Sequence, residues 1–200
     1  MIITLGYHCN ITFLNKAINI KNKTSVFEYF ECHNLQSITD VITKLTSNPK
    51  ENVIFLFNNC DAIYLLNSNF FSFHYKLDDY ISIFQRRYQR FLDYINNEEN
   101  IYFVRVNPLG CDTTKNEIEL FIESIKRINP NNKINFLLID TIKNNNDIKQ
   151  ITIDINNVLF YHKFFYKKDV NDVYMRESTI IYEYYKKMLE DIGYDTNNNL

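Results

Sequence analysis

Thr4-Leu5-Gly6-Tyr7-His8-Cys9-Asn10 sets a cysteine between a glycine that ends a short β-prone run and a helix-prone segment. A helix N-terminus lowers a thiol pKa, because the aligned peptide dipoles favour the thiolate, and the thiolate is the nucleophile. Gly6 lets the backbone turn tightly and frees amides to face a developing oxyanion. The same arrangement suits a buried structural cysteine that opens a core helix. A thiol nucleophile needs a base, as a rule a histidine far away in sequence. His74 is the candidate, within Phe70-Phe71-Ser72-Phe73-His74-Tyr75-Lys76-Leu77-Asp78-Asp79. A histidine among aromatics also serves as a hydrogen-bonded boundary residue. The expected roles are therefore Cys9 as nucleophile and His74 as base. Asp140, at a strand end, is expected to orient the imidazole, with Asp78 as second choice.

Four of the six arginines fall in two places, Arg86, Arg87 and Arg90 in one helix-prone segment and Arg105 inside an apolar strand. A charged residue in an apolar strand needs a partner if it is buried. Two readings follow. One is an arginine–carboxylate scaffold with Asp78, Asp79 or Asp140; the other is a substrate- or anion-binding site on Arg87, Arg90 and Arg105. His8-Cys9 and Cys32-His33 are two soft-ligand pairs, but adjacent ligands lack the spacing of a zinc site, so no metal is expected. No P-loop, G-x-G-x-x-G, G-x-S-x-G or H-E-x-x-H occurs. With Gly 3 in the whole chain, phosphate-cradling glycine loops are excluded and no cofactor is expected.

These residues need elements to hold them. Ile2–Leu5 reads as a strand and 10–17 as a helix. Ser25–Phe30 is an apolar, aromatic stretch, a buried loop or short strand. Leu35–Leu45 reads as a helix with Ser37 as N-cap. Val53–Phe57 is a buried strand by length and β-branching, and 62–66 and 70–73 are further strand pieces. Leu77–Ile95 is the clearest helix, with Tyr80, Phe84, Tyr88, Phe91, Leu92 and Ile95 in one stripe and Gln85, Gln89 and Asp93 facing away. Ile101–Val106 and Ile134–Ile139 read as strands flanking a helix at Lys115–Ile128. Ile151–Ile155 and Val158–Tyr161 suggest two strands around Asn156-Asn157. A helix at 174–192 closes the fold, and 195–200 forms a disordered tail. Strand and helix alternation predicts one α/β domain over residues 1–194. It would have three layers and a mostly parallel central sheet of roughly five or six strands. In such a sheet functional groups gather at the carboxyl ends of the strands.

Composition narrows the function classes. The 200 residues are 46% hydrophobic and 16% aromatic, enough for a sizeable core. Gly 3 and Pro 3 exclude a collagen or a Pro-rich scaffold. A net charge of −2 gives no drive toward nucleic acid. No apolar run approaches the ~20 residues of a membrane span, and the first residues lack a secretory signal. A cytoplasmic monomer or weak dimer is expected, acting on a peptide or small acyl substrate, with no nucleic-acid or membrane partner. The four dispersed cysteines are expected as free thiols. The competing function class is a non-catalytic α/β binding domain that holds an anionic ligand.

Four blocks in order resemble one known family. Thr4-Leu5-Gly6-Tyr7-His8-Cys9 resembles its S-L-G-x-x-C opening, and Phe73-His74 its F-x-H-D segment. Ile83 to Leu92, through Arg86-Arg87-Tyr88-Gln89-Arg90-Phe91, resembles its R-R-x-x-R-F helix, and Phe103-Val104-Arg105 its F-V-R strand. This is the DUF1796 family of papain-like cysteine peptidases. The resemblance implies a thiol peptidase with Cys9 and His74 as its pair, and an α+β papain-like fold as the alternative to the parallel sheet. The family's acid after the histidine is Tyr75 here, and its Asp-Trp segment reads Glu28-Tyr29-Phe30.

Overall fold

A computed structural model of the chain describes residues 1–5, 10–20, 25–28, 31–32, 34–47, 55–57, 63–65, 70–72, 77–107, 113–142, 159–166 and 179–197. In chain order the elements are β1 (Ile2–Thr4), α1 (Asn10–Ala17), β2 (Glu31–Cys32), α2 (Leu35–Ser47), β3 (Phe55–Phe57), β4 (Ile63–Leu65) and β5 (Phe70–Ser72). Then follow α3 (Leu77–Asn97), β6 (Asn100–Val106), α4 (Lys115–Ile128), β7 (Lys133–Ile142), β8 (Leu159–Tyr166) and α5 (Thr179–Asp191). The fold is mixed α/β.

One sheet has the order β1-β6-β7-β8 with every neighbouring pair parallel. A parallel sheet covered on both faces needs strands that are apolar on both sides, and β6 and β7 have that composition. Along β6, Ile101 and Phe103 join one buried cluster, while Val104 and Val106 join another. The first cluster takes Ile38 and Ile42 from α2, Phe84, Phe91 and Ile95 from α3, and Phe121 and Ile125 from α4. The second takes Leu14 from α1 and Tyr185, Met188 and Leu189 from α5. Phe103 meets Phe121 edge-to-face with centroids 5.0 Å apart, and Phe121 meets Phe136 at 5.7 Å. Such pairs add about 0.5–1.5 kcal/mol to the burial of each ring.

The expected sheet needs correction. Strands 101–106 and 134–139 do pair in parallel, but residues 55–57 do not join them. They pair with β4 in a second, antiparallel sheet of order β2-β5-β4-β3. Only residues 58–62 separate β3 from β4, and a parallel crossover needs about a dozen residues or more. Among the described residues the parallel sheet has four strands, where five or six were expected. The expected strand at 158–161 is found as the start of β8, which begins at Leu159 and runs parallel to β7. Residues 151–158 lie outside the described residues.

Helix ends follow their local chemistry. Asn34, not Ser37, caps α2, since its Oδ1 accepts from Ser37 N at 2.8 Å and from Ser37 Oγ at 2.7 Å. Thr114 caps α4 with a reciprocal box: its hydroxyl accepts from Glu117 N and the Glu117 carboxylate accepts from Thr114 N. α5 ends at Gly193, whose φ of +81° suits a residue without Cβ, and Tyr194 N bonds Leu189 O at 2.9 Å across the turn. Tyr102 Oη then donates to Gly193 O at 2.8 Å and fastens this end to β6. Among the described residues no helix is long and apolar enough to cross a membrane.

Candidate functional site

Two buried polar sets lie near the carboxyl ends of β1 and β6 in the parallel sheet. The first is built on Arg105, which is 0% exposed. A buried guanidinium costs several kcal/mol unless its donors are satisfied. Nη1 donates to Leu5 O at 3.0 Å and Nη2 to Cys32 O at 3.2 Å. Nε points to Asn107 Oδ1 at 3.1 Å and Thr113 Oγ1 at 3.4 Å. Thr113 Oγ1 in turn donates to Asn107 Oδ1 at 2.6 Å, and Asn107 N to Ile139 O at 2.8 Å. One side chain thus joins the end of β1, β2, the end of β6 and the approach to α4.

The second set is built on Glu28, also buried. Its carboxylate accepts from Ser25 N at 2.8 Å and from Thr12 Oγ1 at 2.5 Å. Ser25 Oγ reaches Thr4, at 3.0 Å to both its carbonyl and its hydroxyl. Beside Glu28, Phe27 packs edge-to-face on Phe91 of α3 with centroids 5.8 Å apart. The 25–28 turn is thereby held against α3 on one side and against α1 and β1 on the other.

Cys32 is a buried thiol whose Sγ donates to Asn34 O at 2.9 Å. Burial raises its pKa from the ordinary 9.0 to about 11, although the Arg105 charge pulls the other way. It stays protonated at neutral pH and is not a nucleophile or a ready metal ligand. Among the described residues no group of three or more His, Cys, Asp and Glu could hold a metal ion.

The expected site residues are placed unequally. Cys9 and His74 lie outside the described residues, as do His8 and His33. Cys9 directly precedes Asn10, the first residue of α1, and His74 follows Ser72, the last residue of β5, by two. Asp140, expected at a strand end, lies inside β7, which runs on to Ile142; it sits opposite Phe164, one residue beyond the Val106–Ile139 pair that ends the β6 ladder. Arg87 is buried and Arg90 half-buried on α3, while Arg86 is exposed. Arg105 is at the carboxyl edge. Asn107 falls at the expected strand end, whereas Glu28, Thr12 and Thr113 were not expected there. The available signal for Glu28 is an acid inside the apolar stretch 25–30.

No family model, curated protein or solved structure matches this chain.

Proposed function

We propose that this chain is a thiol acyl-transfer enzyme of the papain-like cysteine peptidase class, acting on a peptide or small acyl substrate. The reading rests on the DUF1796-like motifs and on one observation. Both flanks of the segment that carries Cys9 are held by buried charged side chains. Arg105 holds Leu5 O ahead of it, and Glu28 holds Thr12 behind it. A protein with an ordinary apolar core gains little by burying two such groups unless a local geometry must be kept.

In this reading Cys9 attacks the substrate carbonyl as the thiolate, and His74 takes its proton. The tetrahedral oxyanion is held by backbone amides near Cys9 and Asn10. His74 then protonates the leaving group, a thioester remains on Cys9, and water releases the acid. Asp140 orients the imidazole. Arg105 serves as a tie, and α3 carries Arg87 and Arg90 alongside. The two buried clusters are read as the outer interfaces of a three-layer domain with helices on both faces of the sheet. The enzyme is read as a cytoplasmic monomer or weak dimer.

The test is alkylation of all four thiols across pH, followed peptide by peptide. Cys9 is expected to react far faster than Cys32, Cys60 and Cys111, and to lose that advantage in His74→Ala. Equal rates for all four thiols refute the reading and favour a binding domain.

A further inference from the structure

We propose that Arg105 makes the carboxyl ends of β1 and β6 one opening unit: the chain at Leu5, Cys32, Asn107 and Thr113 comes away together or not at all. Leu5 follows β1 of the parallel sheet, and Cys32 ends β2 of the antiparallel sheet. Asn107 follows β6, and Thr113 lies just ahead of the Thr114 cap of α4. All four converge on one guanidinium. Nη1 donates to Leu5 O at 3.0 Å and Nη2 to Cys32 O at 3.2 Å. Nε lies 3.1 Å from Asn107 Oδ1 and 3.4 Å from Thr113 Oγ1. The Thr113 hydroxyl donates to the same Asn107 oxygen at 2.6 Å.

Burial turns this convergence into coupling. Arg105, Leu5 and Cys32 are 0% exposed and Asn107 is 1% exposed. A stretch that left alone would strand a donor of a buried charged group, which costs more than the bond itself contributes. Once water has reached the guanidinium, the remaining bonds are exchanged for bonds to water and lose most of their worth. Partial openings are therefore disfavoured against both end states, and that defines a cooperative unit. Arg105 is the link from Thr113, at the approach to α4, to Leu5, at the end of another strand.

The experiment is amide hydrogen exchange on the full chain across a urea series, with peptide-resolved alkylation of Cys32 beside it, both corrected for intrinsic rates. Three probes follow three anchors: Leu5 N, bonded to Val104 O at 2.9 Å; Asn107 N, bonded to Ile139 O at 2.8 Å; and the buried Cys32 thiol. The amides of Phe103 and Leu137, in the middle of the β6–β7 ladder, report global unfolding. In wild type the three anchor probes are expected to share one opening constant, with a weaker urea dependence than Phe103 and Leu137. Thr113→Val, nearly isosteric, takes the hydroxyl from Asn107 and Arg105 and should speed all three by one common factor of about 3- to 30-fold. Tyr185→Phe, which removes the bond to Asn15 and leaves the fork intact, should speed Phe103 and Leu137 but keep the anchor probes within about twofold. An anchor probe left unchanged by Thr113→Val opens alone and overturns the proposal. Anchor probes that follow Tyr185→Phe, with the urea dependence of Phe103 and Leu137, open only with the whole fold and overturn it equally. Should Thr113→Val not fold, the wild-type series decides, and three unequal opening constants overturn the proposal.

Discussion

Glu28→Ala is the sharpest test of the buried polar edge. The carboxylate is 6% exposed and accepts from Ser25 N and Thr12 Oγ1. Its removal orphans the amide of Ser25, itself 4% exposed, at about 1–3 kcal/mol. The Thr12 hydroxyl can turn to a helix carbonyl, so its loss adds about 0.5–1 kcal/mol. The one buried methylene lost with it, Cγ, adds about 0.8 kcal/mol. Relief of the carboxylate's own desolvation works in the opposite direction. The net is a destabilisation of about 2–4 kcal/mol, or a Tm drop of about 4–16 °C for a chain of this size. Glu28→Gln keeps one acceptor but turns an amide donor toward a donor, and should cost about 1–2 kcal/mol. Thr12→Val, nearly isosteric, should cost about the same through loss of one charge-assisted bond. Urea unfolding of the three variants gives the order directly. A Glu28→Ala protein within about 0.5 kcal/mol of wild type would refute the claim that this carboxylate ties α1 to the 25–28 turn.

Stability should fall as pH rises from about 9 to 11. The unfolded Cys32 thiol ionises near 9.0 and the folded one near 11, so the unfolded chain releases its proton first. The loss is about 2–3 kcal/mol by linkage, read as a falling urea midpoint, and Cys32→Ala should flatten it. Burial raises Tyr88, Tyr94 and Tyr185 in the same direction, so a residual slope above pH 10 is expected. Phe103→Ala removes the ring that packs on Phe121 and Phe136, and should cost about 3–5 kcal/mol in denaturant unfolding. Thr114→Ala opens the α4 capping box and should cost about 1 kcal/mol, visible as a small Tm shift. Tyr185→Phe strips the hydroxyl that donates to Asn15 Oδ1 at 2.8 Å, and thermal melting should register about 1–2 kcal/mol.

Hydrophobic periodicity made much of the fold legible. The α3 stripe of Phe84, Phe91 and Ile95 is buried and Gln85, Gln89 and Asp93 are exposed, as a 3.6-residue repeat requires. α4 begins and ends at the expected residues because Thr114 and Asn129-Pro130 punctuate it strongly. Strand partnership was not legible, because a short apolar run such as 55–57 carries no record of its neighbour. The pairing of β3 with β4 follows from connection length, since the 58–62 link is too short for a parallel crossover. Asparagine was misleading in another way. Its abundance, 29 residues, makes any single position look uninformative. Yet Asn34 caps α2, Asn19 takes a left-handed φ of 60° after α1, and Asn129 and Asn132 both donate to Ile95 O near the end of α3. A residue chosen often by a biased composition is still placed by its hydrogen-bonding chemistry.

The buried polar atoms at the sheet edge follow the same logic at higher cost. Apolar residues would fill the positions of Arg105 and Glu28 with less desolvation. What they could not do is bond Leu5 O, Cys32 O, Ser25 N and Thr12 Oγ1, which belong to four different stretches of chain. Those stretches also share apolar core contacts through Leu5, Phe27, Cys32 and Leu14, but such packing is non-directional, so directional bonds are what can set their relative places. In this protein the burial of an arginine and a glutamate is therefore read as fixing local geometry where the core alone would leave it soft. Stability and thiol reactivity should accordingly separate on mutation: Phe103→Ala weakens the fold with Cys9 reactivity kept in the folded fraction, while Arg105→Lys lowers reactivity by more than its loss of stability accounts for. Parallel Tm and Cys9 alkylation measurements on the two variants would reveal that split, and proportional losses in both would contradict it.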